Sequence, residues 1–197
     1  LKNAEAGPFF RGIISRIRKA DPTRLVSYAA LYGLVGELAG LVDVLGVNSY
    51  WGWYDKCMGG KGLQPDGNVW QKSSGVQREP IDLSRMREMI DKVLAGNSST
   101  ALLLTEFGAD SVPGFLAAGR DLWSEDYHAD LLAEVLSLAK EYPRIVGTFP
   151  FCFTDYRDPS KVASGYWDEL NLKGVVDYRR MPKKAFYSLR ECYGAKD

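Results

Sequence analysis

The sequence is poor in the side chains on which triad hydrolases and many metalloenzymes depend. Its 197 residues include a single histidine, His128, which leaves almost no material for a Ser-His-Asp triad or a histidine-based metal site. Three cysteines are far apart and form no CxxC pair, so they predict neither a disulfide framework nor a zinc site: Cys57, Cys152 and Cys192. We expect no metal, no cofactor and a reducing, cytoplasmic location, with His128 solvated in the middle of a helix.

The sequence also lacks an excess of charge of either sign and any long apolar run. Lysine and arginine number 25, as do aspartate and glutamate, so the net charge of zero gives no general attraction to nucleic acid or anionic lipid. Gly, Asp or Glu interrupts each apolar stretch well before the roughly 18 residues that a membrane helix needs. The pairs Arg179-Arg180 and Lys183-Lys184 are too short for a nucleic-acid patch, and we expect them to lie along the surface near a helix start. The sequence therefore predicts no nucleic-acid partner and no membrane partner.

The sequence does contain an alternation of short apolar runs and amphipathic stretches, which is typical of parallel βα units. The pattern predicts a first helix from Pro8 to Asp21, strands over 25–29, 42–48, 101–105 and 144–153, helices beginning at Asp82, Ser124 and Pro182, and a long loop over 55–79. Four such units make half of a (β/α)8 TIM barrel. A doubly wound sheet is the alternative, although no Gly-rich turn links a strand to a helix as dinucleotide binding requires.

Two of the predicted helices have a clear apolar face. The first helix carries Phe9, Phe10, Ile13, Ile14 and Ile17 on one face. The helix that begins at Ser124 has the strongest pattern, with an inward stripe of Leu131, Leu132, Val135, Leu136 and Leu138. Half a barrel would still leave two strand edges open, so we expect residues 1–197 to need the other half of the barrel.

Glu106 follows directly on the apolar strand that begins at Ala101. The C-terminal ends of barrel strands are where these folds place their active sites, although a glutamate paired with an arginine at the rim is the alternative. Aromatic residues also follow the strand ends: Tyr50, Trp51, Trp53, Tyr54, Phe107, Phe151, Phe153 and Tyr156. Flat rings mixed with hydrogen-bonding groups such as Asn48 and Asp110 suit the faces of a sugar, and core packing is the alternative explanation for part of the set.

Two stretches form a long and specific motif: residues 105–114, Thr-Glu-Phe-Gly-Ala-Asp-Ser-Val-Pro-Gly, and residues 122–127, Leu-Trp-Ser-Glu-Asp-Tyr. They resemble the nucleophile strand of glycoside hydrolase family 2, and of its β-glucuronidase group in particular. Residues 48–54 resemble the end of the preceding strand, and residues 20–24 resemble a helix-to-strand link. Since these matches extend over nearly the whole chain, the resemblance implies that residues 1–197 are the C-terminal half of a TIM-barrel catalytic domain.

The resemblance also implies a role for each site residue. Glu106 takes the place of the nucleophile of a retaining hydrolase that cleaves terminal β-D-glucuronides, with a small-molecule glycoside as its substrate. Asn171 and Lys173 are similar to an Asn-x-Lys pattern that contacts the substrate carboxylate, for which an ammonium and an amide donor are suitable groups. The pocket is shaped by five further residues, with Phe151 in the position of a floor tryptophan: Asn48, Tyr50, Tyr54, Asp110 and Phe151.

The sequence departs from the family pattern at three places. The acid/base glutamate of the family belongs to an Asn-Glu pair, which Asn3-Ala4-Glu5 breaks, so we expect that group upstream of Leu1. The start has no initiator Met, which favours the interior of a longer chain. Phe151 replaces a tryptophan, and the stretch 157–169 differs in length. A β-galacturonidase, a β-galactosidase and a non-catalytic sugar-binding fragment therefore stay open as alternatives, and we expect the full enzyme to be a homo-oligomer of carbohydrate metabolism.

Overall fold

The computed structural model describes residues 6–33, 40–57, 80–96, 100–159, 161 and 169–194. The strands are β1 (Ser27–Leu31), β2 (Val44–Asn48), β3 (Ala101–Glu106), β4 (Ile145–Thr148), β5 (Tyr156–Arg157) and β6 (Leu170–Asn171). The helices are α1 (Ala6–Ala20), α2 (Tyr54–Cys57), α3 (Ser84–Ala95), α4 (Glu125–Lys140) and α5 (Lys184–Cys192). Each predicted element is present, but β1 begins two residues later than predicted and β4 ends at Thr148. The predicted loop 55–79 begins with α2, and its remainder lies outside the described residues.

The four long strands form one parallel sheet in the order β1-β2-β3-β4. The register pairs Leu45 with Leu102 and Asn48 with Glu106, across a shift in the ladder after Val47. Because parallel strands end at the same edge of a sheet, Asn48, Glu106 and Thr148 mark the C-terminal edge. The predicted parallel βα architecture is confirmed.

The chain folds as two compact units. The first consists of residues 1–49, 84–106 and 139–149, and the second of residues 50–83, 107–138 and 150–197. The first unit contains the four-stranded sheet with α1 and α3, whereas the second contains α2, α5, most of α4 and the antiparallel pair β5-β6. In chain order, each segment of the second unit begins after a strand of the first.

The core of the first unit is formed by the sheet and α3. The buried face of α3 consists of Met86, Met89, Ile90 and Val93. Arg144 links the end of α3 to the residue that precedes β3. Its guanidinium donates to the Leu94 carbonyl at 3.0 Å and to the Thr100 carbonyl at 2.6 Å. The predicted apolar face of α1 is partly exposed to solvent, since the side chains of Phe9 and Ile17 are exposed. Within the described ranges, no helix combines the length and the apolar character needed to cross a bilayer.

The core of the second unit is built around α4. Its predicted stripe from Leu131 to Leu138 is buried, and the Ser124 hydroxyl caps the helix by accepting the Tyr127 N–H at 3.1 Å. The prediction that His128 is solvated is wrong, because its side chain is fully buried. The 3.6-residue pattern indicated one buried stripe, whereas Tyr127, His128 and Ala129 are consecutive and all buried, so α4 is covered on more than one face.

Candidate active site

Glu106 and Asn48 lie side by side at the C-terminal edge of the sheet in the first unit. They are register partners on β3 and β2, and the Glu106 carbonyl accepts the Ser49 N–H at 2.8 Å. The Thr105 hydroxyl donates to the Asn48 amide oxygen at 2.7 Å. The side chain of Glu106 is partly exposed. A carboxylate and an amide donor therefore stand together where TIM barrels carry out catalysis.

In the second unit, Asp110 is the centre of a buried polar cluster. Its Oδ1 accepts the Lys161 ammonium at 2.6 Å and the Leu172 N–H at 2.9 Å. Its Oδ2 accepts the Trp53 indole N–H at 2.9 Å and the Lys173 ammonium. A carboxylate offers about four acceptor positions, so these four donors satisfy Asp110 completely.

Burial and charge act in opposite directions on this carboxyl group. Burial alone would raise the pKa of Asp110, but the positive charges of Lys173 and Lys161 outweigh it and hold the pKa well below its usual range. Asp110 is therefore ionised at neutral pH. A charged carboxylate whose acceptor positions are all filled is suited to hold the two ammonium groups in place.

Aromatic rings surround Lys173. Its ammonium donates to the Tyr54 hydroxyl at 2.9 Å and lies 4.7 Å from the centroid of that ring. The centroids of Tyr50 and Trp53 are 5.5 Å and 6.0 Å away, within the range of cation–π attraction. Trp53 and Phe107 are fully buried. Tyr50, Tyr54, Asp110 and Lys173 thus form one cluster.

Asn171 is held in a local turn next to Lys173. Its amide oxygen accepts the Lys173 N–H at 3.2 Å, and its Nδ2 group donates to the Tyr156 hydroxyl at 3.1 Å. Phe151 lies nearby in the same unit, with its ring 6.3 Å from that of Tyr156 and 6.4 Å from that of Tyr50. The structure therefore places Phe151 and Asn171 with the Lys173 cluster in the second unit, whereas Glu106 and Asn48 belong to the first unit.

A second buried ion pair supports this turn and was not predicted from the sequence. Lys183, expected at the surface, is buried and donates to Asp155 at 2.9 Å, to the Leu172 carbonyl at 2.9 Å and to the Ser111 carbonyl at 3.0 Å. Burial raises the pKa of Asp155 to about 6 against the attraction of Lys183, and lowers the pKa of Lys183. The prediction that Lys183 lies at the surface is wrong. The sequence of a basic pair is the same whether one or both of its side chains are exposed, so the pair alone does not indicate which side chain is buried.

The other potentially reactive side chains of the second unit are not poised for catalysis. Burial and the charge of Lys183 lower the pKa of His128 to about 3, so the ring is neutral at pH 7 while its Nδ1 lies 3.0 Å from the Ser111 hydroxyl. Burial raises the pKa of the Cys152 thiol to about 11, which makes it a weak nucleophile. Across the described part of the chain, no group of three or more His, Cys, Asp or Glu side chains could hold a metal ion.

Gly174 permits the close packing of the turn that carries Asn171 and Lys173. A Cβ atom at this position would overlap the backbone of Thr154, Asp155 and Val176. We therefore expect Gly174→Ala to lower the free energy of unfolding by about 1–3 kcal/mol, the usual cost of overpacking, in urea denaturation of the full-length protein.

Gly12→Ala is the matched control for this substitution. Nothing lies within 4 Å of a Cβ added at Gly12, inside α1, so the higher helix propensity of alanine should stabilise the protein by about 0.5–1 kcal/mol. Equal effects of the two variants would contradict the packing assigned to Gly174.

Comparison with known proteins identifies the fold and the family. A family model described as "Glycosyl hydrolases family 2, TIM barrel domain" matches residues 2–196. The chain belongs to glycosyl hydrolase family 2. The family and the TIM-barrel fold predicted from the sequence are therefore confirmed, and the doubly wound alternative is excluded.

Curated relatives of this family 2 chain include β-glucuronidases. That of Paenibacillus borealis is 26% identical over 194 residues, covering 96% of this chain and 28% of the relative. That of Felis catus is 29% identical over 196 residues, covering 95% of this chain and 26% of the relative. The family 2 chain thus spans only about a quarter of the length of these relatives.

Solved structures of family 2 enzymes share the fold of this chain. The β-galacturonidase of Eisenbergiella tayi bound to galacturonate superposes with a TM-score of 0.76 at 21% identity, covering 99% of this chain and 31% of that protein. The β-glucuronidase of Ruminococcus gnavus in complex with D-glucuronic acid gives the same TM-score and identity, with 97% and 30% covered. At these identities the likeness establishes the fold alone.

Proposed function

We propose that this chain contributes to a retaining glycosidase that cleaves terminal β-D-glucuronides. Glu106 is the nucleophile, and Lys173 with Asn171 binds the sugar carboxylate. The observation that carries the proposal is the buried Lys173 ammonium, which Asp110 and Tyr54 hold in place, while the backbone N–H of the same residue binds the Asn171 side chain. Burying a lysine is costly unless its charge is paired, and Asp110 offsets that cost here, while an anionic sugar would supply a further partner.

The proposed reaction has two displacements at one carbon atom. Glu106 attacks the anomeric carbon as the bond to the leaving oxygen breaks, which gives a glycosyl ester, and a second carboxyl group about 5 Å away protonates that oxygen. The same group then takes a proton from water, whose oxygen displaces the ester and restores the original configuration. We assign this second carboxyl group to a part of the protein outside the described residues. Asn3-Ala4-Glu5, the stretch that departs from the family pattern, also lies outside them.

The contacts of Lys173 support a preference for a uronide over a neutral hexoside. The two sugars differ in a carboxylate against a CH2OH group, and an ammonium forms an ion pair only with the carboxylate. Tyr50, Tyr54 and Phe151 supply apolar faces beside that charge. Asp110 contributes by positioning Lys173, since its own acceptor positions are filled.

A β-galacturonidase is the second candidate. The relative from Eisenbergiella tayi, described as a β-galacturonidase bound to galacturonate, matches this fold as well as the Ruminococcus gnavus β-glucuronidase does. Both sugars present a carboxylate and differ in the configuration of one hydroxyl group, so Lys173 suits either one.

The test compares four p-nitrophenyl glycosides in the full-length protein: the β-D-glucuronide, galacturonide, glucoside and galactoside. We expect both uronides to exceed their neutral counterparts in kcat/KM, with the glucuronide highest. We expect Lys173→Met to lower the uronide values by about a hundredfold, the scale of losing one partner of a desolvated charge pair, and the neutral values far less.

Lys92→Met, at an exposed position on α3, is the control and should change none of the four values. Equal losses on all four glycosides would contradict the role of Lys173. A higher rate on the galacturonide would favour the second candidate, and glucuronate binding in isothermal titration without any turnover would indicate a non-catalytic sugar-binding protein.

A further inference from the structure

Lys161 is a buried cation that neither the sequence pattern nor the proposed function uses. Its ammonium lies 2.6 Å from Asp110 Oδ1, on the opposite carboxylate oxygen from Lys173. The Lys161 side chain is 9% exposed and that of Asp110 is 2% exposed, so the pair is removed from water. This position is unusual because long charged side chains are rarely buried without a counter-ion of their own.

The charges at this cluster do not balance. Among the described residues, Asp110 is the only carboxylate within ion-pair distance of Lys161 or Lys173. The nearby Lys183–Asp155 pair is balanced within itself, and His128 is neutral. Burial lowers the pKa of Lys161 and the attraction of Asp110 raises it, as expected for an ammonium that shares its counter-ion. Within the part of the chain that the structure describes, one positive charge of this cluster therefore remains unmatched.

The backbone also fixes the position of Lys161. Its N–H donates to the Asp158 carbonyl at 3.0 Å, and its carbonyl accepts the Glu169 N–H at 3.4 Å. Asp158 and Glu169 flank the β5-β6 pair and are joined by a hydrogen bond of 2.7 Å from the Asp158 N–H to the Glu169 carbonyl. Since β6 contains Asn171 and β5 contains Tyr156, the backbone of Lys161 is bonded to residues next to both strands.

We infer that Lys161 is a second cation of the sugar-carboxylate site and helps to determine the preference for uronides over neutral hexosides. The inference rests on the proposed function, in which Lys173 and Asn171 bind that carboxylate. Asp110 divides its single negative charge between two ammonium groups, so each keeps part of its attraction for a further anion. A bound uronate supplies a second negative charge. The ammonium groups of Lys161 and Lys173 are then balanced by two carboxylates, that of Asp110 and that of the sugar.

The test measures selectivity as the ratio of kcat/KM for p-nitrophenyl β-D-glucuronide to that for the β-D-glucoside, in the full-length protein. We expect Lys161→Met to lower this ratio about tenfold, which is the low end of the range for one hydrogen bond to a charged group. Lys161→Arg keeps the charge and should retain most of the selectivity. Because both rates come from one preparation, partial loss of folded protein cancels in the ratio.

Three outcomes separate this inference from the proposed function. A ratio unchanged in Lys161→Met but reduced in Lys173→Met would overturn the role of Lys161 and leave the proposed function standing. Equal losses on both substrates would assign Lys161 a purely structural role and overturn the inference as well. A wild-type protein that shows no preference for the uronide would instead contradict the carboxylate site as a whole.

Discussion

Glu106→Gln in the full-length protein is expected to lower kcat on an aryl β-D-glucuronide by at least about 10³-fold. The amide has the size of the carboxylate but lacks its charge, so it cannot form the glycosyl ester in the first displacement. Glu106 is the last residue of β3, where the sheet register and the backbone hydrogen bond from Ser49 do not involve its side chain. The far-ultraviolet circular dichroism and the thermal midpoint should therefore stay close to those of the wild type.

Two controls make this result specific. Glu88→Gln, at an exposed position of α3, should leave kcat unchanged. Glu106→Ala with added azide should regain activity on the aryl glycoside, because azide fits the space left by the carboxylate and attacks the anomeric carbon directly. This single displacement gives the α-glycosyl azide, which nuclear magnetic resonance distinguishes from a retained product. Near-normal turnover by Glu106→Gln would show that Glu106 is not the nucleophile.

Asp110→Asn is expected to have the largest effect on stability, lowering the free energy of unfolding by about 3–5 kcal/mol at pH 7. The asparagine amide keeps the shape of the side chain but leaves the Lys161 and Lys173 ammonium groups buried without a counter-ion. The pKa of Asp110 is lowered in the folded protein, so its contribution is complete above the ordinary carboxyl pKa near 4 and declines as the pH falls. The difference between variant and wild type should therefore narrow towards pH 3.

Chemical denaturation at several pH values measures this difference. Asp130→Asn is the matched control, because Asp130 also pairs with a cation, Arg120 at 2.6 Å, but its side chain is 41% exposed. Exposed pairs contribute about 0–1 kcal/mol, so this variant should stay near the wild type. Adding Lys161→Met to Asp110→Asn removes one of the unpaired charges and should recover part of the lost stability. A loss no larger than that of Asp130→Asn would refute the central role of Asp110.

The fold could be predicted from the sequence because local signals agreed with one another. The apolar run that begins at Ala101 and the cap at Ser124 each define an element through neighbouring residues alone. The strand ends were less certain, since β4 stops at Thr148 while apolar residues continue to Phe153. A continuous apolar run indicates burial, but it does not indicate where the ladder of hydrogen bonds stops.

The candidate site was predictable only where a motif marks it. Asp110 and Lys173 were named from the sequence because a family pattern contains them, and the structure brings these two together. Lys161 and Lys183 carry no such signal, since a lysine in a loop or at a helix start is usually solvated. Their burial depends on contacts with residues 51 and 72 positions away in the chain, which local periodicity does not indicate.

The three carbonyl and carboxylate partners of Lys183 have a consequence for protein engineering. This amine binds the Ser111 and Leu172 carbonyls at once, so it joins the segment that follows β3 to the turn that carries Asn171 and Lys173. The conformation of the turn is therefore not a property of residues 171–174 alone. If this turn is exchanged between family members, the residues that bind it, Asp110, Asp155 and Lys183, must be transferred with it.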